Sequence, residues 1–486
     1  MALFDSIRVG ASAATESYQI ERSLMFNDND QTDLRRTPSS SGNRRTMTFS
    51  FWVKHNTAGY EPEDGEDHYF YSAVKGSNNP QTYIGWKNNR LYVELVTGGS
   101  YSGSVATERR FRDVGGWFHC VVWIDTTQST SSNRVRFYIN GVEETDKTGN
   151  NVSLQYPSQN FETAFGADCE QVIGEYYGGG GSHNYDGYIA EFHYVNGSTV
   201  APTEFGEYDS NSPNVWIPKD VSGLTFGTLG FYYEFKNSGA LGTDSSGNSN
   251  TGSVSGSPDQ TTDTCTNNFA IINVNDNFFA SATISEGGTK VVTDSSAEAM
   301  STSTFAMTKG KWYMEVDFIS GAGAKMCGIT PTPSFQTSSH GKSGDVTPHT
   351  VSYIQSGKVQ EGNGSGGQTD LATYSSYGNG NIIGIYMDLD NMKAYFSKDG
   401  SLQSSTGIDL EPLASNGTGH YMFFVGDNNS GSCTIEANFG NGFQSLSSTE
   451  TDDNGHGAFE HSPNITGDGE AKKFFACCSK NLAEFG

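Results

Sequence analysis

The residues best suited to chemistry fall in three short runs. The first, EYYGGGGSHNYDGY, sets Tyr176, Tyr177, His183, Asn184, Tyr185 and Asp186 around a glycine stretch. Aromatic faces stack on sugar C–H surfaces and planar polar side chains orient hydroxyls, so this run is a candidate ligand-binding loop. The same tyrosines equally suit packing within the loop or against another subunit. The second run, EPEDGED at 61–67, offers Glu63, Asp64, Glu66 and Asp67 as carboxylates for Ca²⁺. It lacks the regular ligand spacing of a calcium loop, and a solvated acidic loop is the competing reading. The third run is Glu315-Val-Asp317-Phe-Ile-Ser320. Retaining glycoside hydrolysis needs two carboxyls about 5 Å apart. The last carboxylate of an E-x-D-x-x-E strand is here Ser320, so the acid/base is missing.

Other catalytic patterns are absent from the sequence. There is no HExxH, no GxSxG and no GxxxxGK[ST], and the glycines at 178–181 lead into no Walker lysine. The seven cysteines contain no CxxC pair, which argues against a zinc site and for a reducing cytoplasm rather than a secreted disulfide scaffold. His119 alternates with apolar residues and reads as a hydrogen-bonded structural histidine. Catalysis is therefore not expected, and no cofactor beyond calcium is.

The elements that must position these runs are strands. In TMTFSFWVK, Met47, Phe49, Phe51 and Val53 share one face and Thr48, Ser50, Trp52 and Lys54 the other. NRVRFYING, KWYMEVDF and CTIEANFG alternate in the same way, and FHCVVWI is apolar on both faces, as a central strand requires. Asn140-Gly141 and Asp399-Gly400 supply the positive φ angles of tight hairpins. No long stripe of period 3.6 occurs, so the fold expected is all-β, with two tandem antiparallel β-sandwiches of the jelly-roll kind. The expected organisation is an N-terminal docking arm at 1–22, a sandwich at 23–235, a connector at 236–268, a second sandwich at 269–446 and a tail at 447–486. The connector, rich in Gly, Ser, Asp and Asn, has almost no large apolar residues.

Charge narrows the partners. A net charge of −26 argues against nucleic acid, whose binding needs clustered Lys and Arg. The local group Arg35, Arg36, Arg44 and Arg45 reads as a solvated basic loop or as a contact for an acidic partner. The N-terminus lacks the apolar core of a signal peptide, and no run reaches the ~18 apolar residues of a membrane helix, so no membrane insertion is expected.

The first block resembles the concanavalin A-like, laminin-G-like sandwich in TFSFWVK, GWFHCVVWID, RVRFYINGVEE and IGEYYGGGGSHNYDGYIAEFHYVNG. The second resembles a SPRY domain in KWYMEVDF, CGIT, GIYMDLDNMKAYFSKDG and NFGNGF. In that family the variable loops bind partners, and the counterpart here is the loop at 331–356 with His340 and His349. The order of ERSLMFNDNDQTDLRRTPSSSGNRRTMTFSFWVK, LGTDSSGNSNTG and TDTCTNNFAIIN before the SPRY-like block is similar to virion structural proteins of marine tailed phages. That resemblance implies a fibre or surface-appendage subunit, assembled in the host cytoplasm and resident in the virion. Its implied partners are other virion proteins, further copies of itself (a trimer by analogy with phage fibres) and a host-surface glycan or protein. The alternatives are a decoration or cement protein with no external ligand, and a polysaccharide-degrading enzyme. The missing third carboxylate argues against the last.

Overall fold

The computed structural model describes residues 18–27, 32–56, 67–76, 80–176, 184–279, 282–295, 299–331, 348–362, 367–428, 431–443, 445–466 and 471–486. The fold is all-β, as the alternation predicts. The chain divides into two compact units whose boundary falls between Thr266 and Asn267.

Among the described residues the first unit has two face-to-face sheets of eight strands each and a two-stranded sheet of Gly206–Tyr208 and Trp216–Pro218. The front sheet runs Val142–Glu143, Val135–Ile139, Phe118–Asp125, Thr46–His55, Gly187–Asn196, Ser23–Phe26 and Asp259–Thr261, with Phe231–Tyr233 also paired to Gly187–Asn196. The back sheet runs Lys147–Thr148, Ser100–Thr107, Arg90–Thr97, Gln81–Lys87, His68–Val74, Gln171–Ile173, Asp33–Arg36 and Ser253–Ser255. Met47, Phe49, Phe51 and Val53 all point into the core between them, where Phe49 and Phe51 stack on Tyr194 and Phe192. The opposite face of the same strand is also covered. Thr48, Ser50, Trp52 and Lys54 are buried, because the chain beyond residue 200 folds back over the front sheet.

The connector expected at 236–268 is not a linker. Ser253–Ser255 pairs with Asp33–Arg36 and Asp259–Thr261 pairs with Ser23–Phe26, so this segment adds an edge strand to each sheet. Its polar residues do the work that apolar ones do elsewhere. Asp244 accepts hydrogen bonds from the backbone N–H groups of Tyr232, Ser246 and Asn250, and the amides of Asn248 and Asn250 donate to the carbonyl of Gly230. Asn and Asp side chains hold turns in this way without an apolar core. Farther along, Asp263 receives Lys54 Nζ at 2.7 Å and Trp117 Nε1 at 2.9 Å, all three side chains being buried.

The second unit has a seven-stranded and a nine-stranded sheet. The central strand of the larger sheet, Lys311–Gly321, pairs antiparallel with Asn381–Asp388 and Cys433–Asn438. Trp312, Met314, Val316 and Phe318 enter the core from it. The tail expected at 447–486 is instead built into this unit. Phe475–Ala476 lies parallel to Trp312 and Tyr313, and the helix Ser479–Phe485 follows, with Phe475 and Phe485 stacked at 3.9 Å. Cys477 and Cys478 are buried free thiols there, and burial pushes the Cys478 thiol up to about 12, which leaves it unreactive. In the loop at 331–356, His340 lies outside the described residues, while His349 faces Glu361 at 3.4 Å.

Candidate functional site

The sequence-predicted ligand loop does not form an open site among the described residues. Asn184, Tyr185 and Asp186 are buried. They immediately precede the strand Gly187–Asn196 and belong to its packing rather than to a free loop. Tyr185 sits against Phe70 at 4.7 Å and donates its hydroxyl to the carbonyl of Lys54. The Asn184 carbonyl lies 2.6 Å from His68 Nδ1. Tyr176 packs on Tyr69 and Tyr83 at 5.6 and 5.8 Å. Tyr177 and His183 lie outside the described residues. So do Glu63, Asp64 and Glu66 of the proposed calcium loop, whereas Asp67 faces Lys87 Nζ at 3.3 Å. Among the described residues no group of three His, Cys, Asp or Glu is placed to hold a metal ion. The four arginines singled out in the sequence serve the fold: Arg35 joins Asp33 and Glu175, Arg36 meets Asn250 and the Leu229 carbonyl, and Arg44 and Arg45 share Glu162.

The concave site lies elsewhere in the first unit. A cleft of about 490 Å³ is lined by the loop residues Arg109, Arg110, Phe111, Arg112, Asp113, Gly116 and Trp117, by Trp52 and Phe118, by Ile139 and Asn140, and by Asn214, Val215 and Trp216. Small-ligand sites run to about 300–1,000 Å³, so the size fits a compact ligand. Three elements converge there: the loop entering the strand Phe118–Asp125, the Asn140-Gly141 hairpin turn, and the segment before the strand Trp216–Pro218.

The tryptophans are fixed from behind. Trp52, Trp117 and Trp216 are 3, 6 and 5% exposed, so each ring is held by its packing. Trp117 is tied to Asp263. Trp216 Nε1 donates to His119 Nδ1 at 3.1 Å, and His119 in turn stands 4.9 Å from the Trp52 ring. Because Nδ1 accepts, the proton sits on Nε2, which donates to Ser50 Oγ at 2.8 Å. Burial pushes the His119 imidazole down to about 3, so it stays neutral and serves as a positioning group. Asn140 adopts φ +48 and its Oδ1 accepts from the His119 backbone N–H.

Gly141 at φ +80 lies directly under Trp216. A Cβ there would collide with the indole ring, and the backbone conformation disfavours any L side chain. Gly141→Ala is expected to cost about 1–3 kcal/mol and to shift the tryptophan emission as Trp216 is displaced. Unchanged emission and an unchanged melting temperature would refute this packing.

The cleft residues escaped the sequence reading, although ERRFRDVGGW does place three arginines and two aromatics in ten residues. Trp52, Asn140 and Trp216 join them only through the fold.

The Glu315 strand face in the second unit is closed. Glu315 is fully buried and accepts hydrogen bonds from the backbone N–H groups of Glu460 and His461 at 2.8 and 2.7 Å, from Tyr313 Oη at 3.0 Å and from Asn438 Nδ2 at 3.2 Å. Burial raises its carboxyl to about 7 against the pull of these donors. The backbone at Glu460 and His461 thus covers Glu315.

Residues 28–204 match the family described as the concanavalin A-like lectin/glucanases superfamily. The matched stretch contains the described cleft lining except for Asn214, Val215 and Trp216. No curated protein matches the chain. Among solved structures, the chain is similar to the SPRY domain of human HERC1 (14% identity, 34% of this chain and 96% of that one, TM-score 0.28). It is also similar to mouse laminin alpha1 domains LG4-5 (10% identity, 88% and 90%, TM-score 0.30) and to a heptameric SAP-like pentraxin from Limulus polyphemus (16% identity, 38% and 80%, TM-score 0.27).

Proposed function

We propose that this chain is a non-catalytic binding subunit, a surface appendage of a tailed-phage particle, whose concanavalin A-like sandwich takes a host-surface saccharide in the tryptophan-floored cleft. The observation that carries the binding role is the cleft itself: a concavity lined by closely packed tryptophans together with arginines and asparagines. Aromatic walls with a few placed polar groups are the usual composition of a small-ligand site. The appendage role rests on the order of sequence segments that resembles phage virion proteins. The non-catalytic role is supported by Ser320 in place of a third carboxylate and by the sealed environment of Glu315. Many copies on one particle would turn weak single-site affinity into firm attachment.

Two measurements test this. Antibody against the chain should decorate purified particles in immunogold microscopy; label confined to the soluble lysate would defeat the appendage role. Oligosaccharides released from the host envelope should shift the tryptophan fluorescence of the full chain, and Gly141→Ala should weaken that response. Particle labelling with no saccharide response would leave a decoration protein.

A further inference from the structure

We infer that the cleft selects an anionic saccharide, a sugar carrying a carboxylate that Arg110 holds; this rests on the saccharide-binding role proposed above. The chain as a whole is strongly acidic, with a net charge of −26, yet among the described residues the cleft lining holds three arginines and one aspartate. A cationic concavity on an acidic protein concentrates small anions locally, since surface charges farther away than about 8–10 Å are largely screened at physiological salt.

The arginines differ in how they are used. Arg109 is occupied, reaching Glu144 at 2.9 Å with its guanidinium 4.8 Å from the Phe111 ring. Arg110 is half-buried and has no hydrogen-bond or ion-pair partner among the described residues. Other half-buried arginines of this unit are tied into the protein: Arg90 to Glu108, Arg134 to the carbonyls of Gln128, Ser129 and Pro157, and Arg136 to Asn133. Asp113, the one acid of the lining among the described residues, accepts from the backbone N–H of Gly115 at 2.9 Å.

A guanidinium presents a rigid planar fork that matches a carboxylate with two parallel hydrogen bonds. A neutral sugar in the same place would further desolvate Arg110 without supplying its counter-charge. The indoles would pack against the C–H surface of the ring, and Asn140 and Asn214 would meet its hydroxyls.

The test uses the full chain and trigalacturonate, a probe short enough to sample the cleft rather than the acidic surface around it. Tryptophan fluorescence should report saturable binding that weakens as salt rises. The same trimer with its carboxylates reduced to primary alcohols should bind at least tenfold more weakly. Arg110→Ala should raise the Kd for trigalacturonate at least tenfold with an unchanged melting temperature, and Arg110→Lys, which keeps the charge but loses the fork, should fall between. Equal affinity for the reduced trimer would overturn the anion selectivity while leaving a saccharide site intact. No response to either trimer, together with none to host-envelope oligosaccharides, would remove the saccharide site as well. An equal response to inorganic phosphate alone would reduce the cleft to a simple anion site and overturn the inference.

Discussion

Asp263→Ala is expected to destabilise the first unit by about 3–5 kcal/mol, the usual cost of stripping one partner from a buried ion pair. Lys54 and Asp263 are both fully buried, with Nζ and Oδ2 2.7 Å apart. Burial drives the Lys54 ammonium downward and the aspartate pulls it back up. Without the aspartate the ammonium loses the charge that does most to offset its burial, Asp113 acting more weakly, and Trp117 Nε1 loses its acceptor. At roughly 2–4 °C per kcal/mol for a unit of this size, its calorimetric transition should drop by about 10 °C. The deficit has a pH signature. A lysine whose folded pKa is depressed is bound to a proton more often in the unfolded chain, so the variant should gain stability as pH rises from 7 toward 10. Replacing both partners by apolar residues, Lys54→Met with Asp263→Leu, should recover most of the loss, because no charge is then left buried. A single variant that melts with the parent would show that this pair does not hold the segment after residue 255 to the front sheet.

The fold was legible because its signal is local. Met47, Phe49, Phe51 and Val53 alternate, and a period of two has one structural meaning when one face meets a core. Asn140 and Asp399 take φ +48 and +47, with glycines following at +80 and +73, as their dipeptides require. The segments misjudged as connector and tail are held by side-chain hydrogen bonds and by a few buried residues, such as Asp263, Phe474 and Ala476, whose partners are distant in sequence. Composition reports apolar content and is blind to that kind of anchoring. The burial of Asn184, Tyr185 and Asp186 was hidden for a related reason. Tyr185 and Asp186 follow glycines and look loop-like, but they adjoin Gly187, where the strand begins. The cleft was hidden because its walls come from positions around 52, 110, 140 and 216, which nothing in the linear sequence relates.

Glu315→Ala should be comparably costly for the second unit, about 3–5 kcal/mol, since it leaves the N–H groups of Glu460 and His461 and the Asn438 amide without their acceptor in a closed site. Its consequence for pH dependence separates this role from simple packing. The folded carboxyl titrates near 7, above its ordinary value of 4.5, because burial disfavours the charge. The folded state therefore holds a proton that the unfolded state releases between those values. The resulting stabilisation is complete below pH 4.5 and is lost as pH rises through 7, a change of roughly 3 kcal/mol at 1.4 kcal/mol per unit. Glu315→Gln cannot ionise and should remove this slope, so that its deficit relative to the parent shrinks between pH 5 and pH 8. The residual deficit at pH 5 should be smaller than that of the alanine variant, because the amide oxygen still accepts from one of the two N–H groups. Limited proteolysis offers a local readout: cleavage at 447–466 should accelerate in Glu315→Ala before global unfolding begins. If the parent and Glu315→Gln show the same pH dependence, the carboxyl does not carry a proton in the folded unit. The segment is then fastened by its hydrogen bonds alone.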